Sequence, residues 1–220
     1  MCYGVNYACF LFGDNLVDFL FQMIGSQPIE IIAAICGFVN VILIIRRSIW
    51  NYPFGFVMVT LYAKVFYDYQ LYSDSILQIY FFFIQIYGVV CWLQGKADDG
   101  RINVAPLSSK VFYKYLCFSG VIWLLWSYVM NIWTDASYPY WDSAIAILSM
   151  LAQFLLSRRH IQNWYLWICV DLLAISLFSI KGLMPTAFLY FIFLILAIVG
   201  LLSWRKNFVN QSDASKRATA

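Results

Sequence analysis

Long apolar stretches separated by short polar segments run through most of the chain. A helix needs about 20 residues to cross the ~30 Å hydrocarbon core of a bilayer, and these stretches have about that length. Seven segments qualify, at residues 29–45, 50–69, 73–94, 111–133, 140–157, 162–180 and 184–204. Proline stands at or near the start of four of them, where its missing N–H costs little. The pattern predicts an all-α polytopic membrane protein with seven transmembrane helices.

The two ends of the chain follow a different pattern. Residues 1–27 are apolar but are interrupted by Asp14, Asp18 and Gly25. This favours an amphipathic helix on the membrane surface or packed on the bundle, with an eighth span as the alternative. No basic stretch precedes this segment, so it does not resemble a cleavable signal peptide. Residues 207–220 are polar and are predicted to be a disordered tail.

The composition excludes several other classes of protein. Hydrophobic residues make up 63% of the chain, charged residues 11%, and the mean hydropathy is +0.75. A soluble domain has about 45–50% apolar and about 25% charged residues. The net charge of +3 is too small for a nucleic-acid-binding surface, so no nucleic-acid partner is expected. The six cysteines lie mostly in apolar runs without metal-ligand spacing, which predicts no metal site.

Few residues have the chemistry that an enzyme requires. The single histidine, His160, follows Arg158 and Arg159 at the end of an apolar stretch. Without a second histidine, neither a Ser-His-Asp network nor an HExxH zinc site can form. The sequence also has no P-loop and no GxGxxG motif. We therefore expect neither an enzyme nor a bound cofactor.

Lysine and arginine are concentrated after the odd-numbered spans. Arg-Arg pairs follow spans one and five, Arg205-Lys206 follows span seven, and several further basic residues surround the loop after span three. Because basic residues accumulate on the cytoplasmic side of a membrane protein, these exits are predicted to be cytoplasmic. The N-terminus is then outside and the C-terminus inside.

An internal repeat appears when the chain is aligned with itself at an offset of 112 residues. Arg46-Arg47 then aligns with Arg158-Arg159, and Trp92 aligns with Trp204. There are roughly 15 identities over about 67 positions, and such self-similarity indicates a repeated architecture. Spans one to three and five to seven are therefore predicted to be two copies of a three-helix bundle, at residues 28–94 and 140–206.

Each copy has an odd number of helices, so the intervening segment, residues 95–139, must supply a linker helix that returns the chain. Both copies then point the same way. This gives a 3+1+3 parallel repeat, the arrangement of the SWEET transporters, whose site lies near the midplane at the repeat interface.

Polar groups at membrane depth usually face a cavity, because each ionisable group costs about 2.5–3.5 kcal/mol there on insertion scales. Spacing places several on single helix faces: Asn40 in span one, Gln78 and Gln85 in span three, Ser149 and Gln153 in span five, and Trp164, Trp167 and Asp171 in span six. Lys64 and Asp68 in span two are spaced for an i,i+4 ion pair.

Together these groups fit a flat, cationic solute that bears hydroxyl groups. Indole rings stack on flat rings and attract cations, and a carboxylate in a low dielectric attracts a cation more strongly. Other interpretations stay open from the residues alone. Trp164 and Trp167 also fit an interfacial belt, the glutamines fit interhelical hydrogen bonding, and Asp171 fits a structural pair with another span.

Motifs in both halves resemble those of the PnuC family of nicotinamide riboside transporters. In the first half these are Trp50-x-x-Pro53-x-Gly55, Tyr62, Phe66, Leu71-Tyr72-x-Asp74, Leu77-Gln78, and Tyr87-Gly88 with Trp92. In the second half they are Ala152-Gln153, Arg159, Trp164-x-x-Trp167, Lys181-Gly182-Leu183, Thr186-Ala187, Leu189-Tyr190, and Gly200 with Trp204. The resemblance covers about residues 28–206.

The resemblance implies a SWEET-like bundle in a bacterial inner membrane that imports nicotinamide riboside, a precursor of NAD, by facilitated diffusion with alternating access. It adds Trp50 and Tyr62 to the predicted substrate-binding residues. It also implies lipid and a small-molecule substrate as partners, and homo-oligomers such as trimers. Three alternatives remain: a carrier of a related vitamin such as thiamine, a proton-coupled symporter, and a membrane-embedded enzyme or assembly subunit.

Overall fold

The computed structural model describes residues 28–68, 72–95, 102–133 and 138–218, so the predicted N-terminal segment 1–27 lies outside them. The described residues form seven helices. These are α1 (Pro28–Ile45), α2 (Asn51–Asp68), α3 (Tyr72–Gln94), α4 (Ser109–Trp133), α5 (Pro139–Ser157), α6 (Asn163–Ile180) and α7 (Met184–Ala218). Their order and bounds confirm the predicted all-helical fold.

Six of these helices are long and apolar enough to cross a membrane, and α2 is the exception. Its 18 residues rise about 27 Å, which is close to the hydrocarbon thickness. Polar groups near its end lower its hydropathy. There, Lys64 Nζ donates to Asp68 Oδ2 at 2.8 Å, as the i,i+4 spacing predicts.

The helices assemble as two units of three and a single linker. Helix α2 packs on α1 and α3, and α6 packs on α5 and α7. The units meet along two interfaces, α3 with α5 and α1 with α7, while α4 packs on α5. At the 112-residue offset α1 corresponds to α5 and α3 to α7, so the two interfaces are equivalent. This is the predicted 3+1+3 arrangement.

The ends of α1 and α5 share an unusual backbone conformation. Arg47 and Arg159 are equivalent in the repeat, and they have φ angles of 57° and 64°. Each follows its helix in a Schellman motif: Arg47 N–H donates to Ile44 O at 2.9 Å, and Arg159 N–H donates to Leu156 O at 2.8 Å. Glycine usually takes this left-handed position, as Gly182 does after α6. We call this end of the bundle the basic end, after its two Arg-Arg pairs.

Two equivalent tryptophans form hydrogen bonds between the units near the basic end. Trp92 Nε1 donates to Leu156 O at 3.1 Å, and Trp204 Nε1 donates to Ile44 O at 3.0 Å. Residues 44 and 156 also correspond at the 112-residue offset. Each unit therefore donates one buried hydrogen bond and accepts one at the same position, which confirms that the repeat is parallel in three dimensions.

A short segment before α4 crosses the basic end and contacts both units. Ile102 N–H donates to Arg47 O at 3.2 Å, and Ala105 N–H donates to Arg159 O at 3.3 Å. Further on, the Gln162 amide makes two 2.8 Å hydrogen bonds with the backbone of Leu107. We call residues 102–107 the strap. Part of the predicted linker is thus a fixed piece of the fold.

The end of the chain corrects one prediction. Residues 207–220 were expected to be disordered, but α7 continues as far as Ala218. The polar residues of this extension find partners at the basic end: Asn207 Oδ1 accepts from Arg47 Nη2 at 3.3 Å, and Phe208 packs against the buried core. Side-chain contacts with the bundle therefore support a helix that the polar composition argues against.

Candidate functional site

A cavity of about 220 Å³ lies between the two units. Six of the ten predicted substrate-binding residues line it: Asn40, Gln85, Gln153, Trp164, Trp167 and Asp171. It lies where equivalent positions of the repeat face each other. The structure places these six residues around one cavity, and their binding of a substrate stays a prediction.

The first unit lines the cavity with neutral hydrogen-bonding groups. Asn40 and Gln85 are buried, and Asn40 Nδ2 donates to Asn51 O at 2.7 Å. Asn51 Nδ2 in turn donates to Ser48 O at 2.7 Å, which fixes the start of α2. The amide groups of this wall offer both donors and acceptors to a solute.

The second unit lines the cavity with indole rings and a carboxylate. Trp164, Trp167 and Asp171 follow one face of α6 at i, i+3 and i+7. Asp171 is only 4% exposed, and its carboxylate has no hydrogen bond or ion pair with any described residue. Tyr190 of α7 also lines the cavity and lies near enough to interact electrostatically with Asp171. A buried carboxylate without a partner favours a cation or a proton.

Four aromatic residues close the cavity toward the basic end. Tyr52 packs edge-to-face on Trp92, with ring centroids 5.4 Å apart and planes at 85°. The equivalent pair in the second unit, Trp164 and Trp204, has values of 5.6 Å and 89°. Trp92 and Trp204 also pack against each other, with ring centroids 6.3 Å apart. We call these four residues the aromatic floor.

Equivalent glycines allow the aromatic floor to pack closely. A Cβ added at Gly88 would meet the Tyr52 hydroxyl, and one at Gly200 would meet the Trp164 ring. Since residues 52 and 164 correspond, as do 88 and 200, each unit uses a glycine in its last helix to seat an aromatic ring of its middle helix.

Charges at the basic end lie beyond the aromatic floor. Arg47 is buried, and its Nη1 donates to Ile102 O in the strap at 3.0 Å. Arg158 Nε donates to the Tyr87 hydroxyl at 2.8 Å, and this hydrogen bond raises the pKa of the arginine. Partial burial lowers the pKa of His160, and the neighbouring Arg158 and Arg159 lower it further.

Four predicted site residues do not line the cavity. Trp50 immediately precedes α2 at the basic end and is 67% exposed. Tyr62 instead stacks on Phe66, with ring centroids 5.6 Å apart. Ser149 is buried outside the cavity, and Gln78 has a buried Oε1 without a described hydrogen-bond partner.

Three residues with hydrogen-bonding side chains line the cavity but were not predicted from the sequence: Asn51, Tyr52 and Tyr190. The repeat itself contained a signal for two of them, because Tyr52 aligns with Trp164 and Tyr190 aligns with Gln78. A residue equivalent to a predicted site residue is a natural candidate for the opposite wall.

Among the residues that the structure describes, no group of three or more His, Cys, Asp or Glu side chains could hold a metal ion. The described cysteines, Cys36, Cys91, Cys117 and Cys169, are all free thiols. The groups that face the cavity can bind a solute by stacking, hydrogen bonding and charge attraction.

Comparisons with known proteins identify relatives of this chain. The sequence model of a family described as "Nicotinamide mononucleotide transporter" matches residues 27–206. The chain is 26% identical to the nicotinamide riboside transporter PnuC of Escherichia coli K12 over 201 residues, covering 80% of this chain and 84% of that protein. It is 24% identical to the riboflavin/roseoflavin transporter RibM of Streptomyces davaonensis, covering 80% and 83% of the two chains.

The fold also matches a solved structure. The crystal structure of the vitamin B3 transporter PnuC superposes with a TM-score of 0.72, covering 88% of this chain and 86% of that one at 24% sequence identity.

Proposed function

The chain belongs to the nicotinamide mononucleotide transporter family of membrane proteins, and on this premise we propose that it carries nicotinamide riboside across the bacterial inner membrane. The relatives named as nicotinamide riboside transporters support this substrate. The observation that carries the proposal is the buried carboxylate of Asp171, which has no hydrogen-bond or ion-pair partner among the described residues and faces the same cavity as Trp164 and Trp167.

The chemistry of the two walls matches the parts of this solute. Its pyridinium ring is flat and cationic, so it stacks on an indole ring and is attracted by the carboxylate of Asp171. Its ribose hydroxyls and carboxamide can exchange hydrogen bonds with Asn40, Gln85 and Gln153. A neutral vitamin would leave the carboxylate buried without a counter-charge, which is costly.

The mechanism that we propose is facilitated diffusion with alternating access, in which one unit rocks against the other around the cavity. The aromatic floor closes the cavity toward the basic end, and the strap crosses that end. Opening at that end requires the strap to release Arg47 or Arg159, and requires the Trp92 and Trp204 hydrogen bonds to break. The excess of basic residues supports a cytoplasmic location for the basic end, with the C-terminus inside.

Uptake into liposomes tests this function. Purified protein in liposomes should take up labelled nicotinamide riboside down its concentration gradient, without an imposed ion gradient. Unlabelled nicotinamide riboside should compete strongly, thiamine more weakly because it is also an aromatic cation, and neutral nicotinamide and riboflavin least. If riboflavin competes best, or if no labelled riboside enters, this substrate assignment is wrong.

The same carboxylate supports a second candidate, a proton-coupled symporter. A buried carboxylate without a partner can take up a proton together with the solute. Uptake would then follow an imposed pH gradient, and Asp171→Asn would make it independent of that gradient. Equal uptake with and without the gradient in the unsubstituted protein would exclude this candidate.

A further inference from the structure

Three equivalent positions, one in each helix of a unit, include two residues that line the cavity in each half of the molecule. In the first unit they hold Asn40, Gly55 and Gln85. In the second unit the same positions hold Ala152, Trp167 and Ala197. We call these sets the amide triad and the indole triad. The middle helix supplies the smallest residue in one and the largest in the other.

The amide triad is packed around the missing side chain of Gly55. A Cβ added at Gly55 would overlap Gln85 Oε1 and would lie 2.7 Å from Asn40 Nδ2. Both amide ends therefore occupy the space that a side chain at position 55 would take. Both are held there in a buried environment, and Asn40 is fixed further by its 2.7 Å hydrogen bond to Asn51 O.

The indole triad fills the equivalent space in the opposite way. Trp167 packs against two clusters of buried residues, one containing Ala152 and the other containing Ala197. Small alanines stand at the two positions where the amide triad has Asn40 and Gln85. The amide triad therefore presents hydrogen-bonding groups at the cavity, and the indole triad presents a ring suited to stacking.

We propose that Gly55 is a specificity-determining residue that acts by positioning the Gln85 and Asn40 amides against the hydroxyl-bearing part of the substrate, a role that rests on the transport function proposed above. Gly55 itself need not touch the substrate. The ring of the solute faces the indole triad, and the ribose faces the amide triad.

The key variant is Gly55→Ala, which keeps helix α2 intact and places a methyl group where Gln85 Oε1 lies. The end of the Gln85 side chain is flexible, so the protein should fold while the amide is displaced. Losing a neutral hydrogen bond of about 1–1.5 kcal/mol corresponds to a roughly fivefold to tenfold weaker affinity. We expect this loss for nicotinamide riboside. We expect no such loss for 1-methylnicotinamide, a pyridinium cation without ribose.

Two further variants separate positioning from a general structural effect. Gln85→Ala alone should weaken riboside binding by a similar factor and spare 1-methylnicotinamide. With Gln85 shortened, adding Gly55→Ala should weaken binding much less than it does in the unsubstituted protein, because the Cβ then has room. Gly120→Ala is the matched control, since nothing lies within 4 Å of a Cβ at that position on α4.

Binding of both probes can be measured by isothermal titration of the purified protein, together with its melting temperature. Riboside affinity that is unchanged in Gly55→Ala or in Gln85→Ala overturns the inference, as do losses that simply add in the double variant. Equal losses for both probes also overturn it. If the unsubstituted protein binds neither probe, the transport function proposed above is what fails.

Discussion

The basic end and the cavity use the internal repeat in opposite ways. At the basic end, Trp92 and Trp204 are the same residue at equivalent positions and make the same contact, with the carbonyls of Leu156 and Ile44. In the cavity, several equivalent positions hold different chemistry, and Asp171 is matched by Val59. A scaffold made of two copies can be symmetric, but a solute with a charged ring at one end cannot be held by two identical walls.

The difference also shows where strain is tolerated. Arg47 and Arg159 both adopt the left-handed conformation, which costs a non-glycine residue roughly 1–2 kcal/mol. In the first unit the side chain compensates, because Arg47 holds both the strap and Asn207. In the second unit Arg159 Nε is buried without a hydrogen-bond partner among the described residues. The backbone is symmetric here, and the use of the side chain is not.

The symmetric scaffold is tested most severely by removing the paired tryptophans. Trp92→Ala and Trp204→Ala should each destabilise the protein by about 3–5 kcal/mol, because each leaves a large cavity and removes a buried hydrogen bond between the units. The two losses should be similar, since the contacts are equivalent. Thermal unfolding in detergent measures both. A protein that tolerates one substitution and not the other would contradict the symmetry of the basic end.

The asymmetric cavity is tested by removing its charge. Asp171→Asn should weaken nicotinamide riboside binding by about 1.5–3 kcal/mol, which is more than tenfold, because the cation loses its charged partner. Its equivalent in the first unit carries no charge, so Val59→Ala should change affinity far less. Titration of both variants with nicotinamide riboside measures the two losses of affinity. Equal losses would mean that the walls act alike.

The two arginines in left-handed conformation should respond differently to glycine. Arg159→Gly relieves backbone strain and removes no side-chain hydrogen bond to any described residue, so it should be neutral or stabilising by up to about 1 kcal/mol. Arg47→Gly gains the same relief but loses the hydrogen bonds to Ile102 O and Asn207, so it should destabilise by about 1 kcal/mol overall. Melting temperatures of both variants test this, and the reverse order would refute it.

The smallest expected effect concerns pH. The pKa of His160 is lowered in the folded protein, first by partial burial and then by the neighbouring arginines. The unfolded chain therefore binds the proton more readily, so stability should fall as the pH falls through about 6.5. The equivalent residue in the first unit is Ser48. The variant His160→Ser should lack this contribution. An unchanged acid dependence of melting in that variant would exclude His160 as its source.

The fold could be predicted because two strong signals agreed. The apolar stretches fixed the number of helices, and the Arg-Arg, Gly and Trp identities at one offset fixed their grouping. The helical extension after Asn207 was not predictable, because its support comes from Arg47 and from core residues distant in sequence. Polar composition alone does not reveal such contacts.

Spacing predicted which face of each helix carries site residues, but not which residues on that face lie at the level of the cavity. Gln153 lines the cavity but Ser149, one turn earlier on the same face of α5, does not. On α3, Gln85 lines it and Gln78, two turns earlier, does not. Spacing in sequence establishes which residues share a face. The level at which two helices separate to leave a space depends on packing between units, which spacing does not encode.

The strap has a consequence for how this gene can be altered. Connecting loops are the usual places for tags, protease sites and insertions, because a change there disturbs little. Here residues 102–107 both join the two halves and are hydrogen-bonded to each of them. Lengthening this stretch would loosen the closure at the basic end. A fusion protein or an affinity tag is better attached after Ala218.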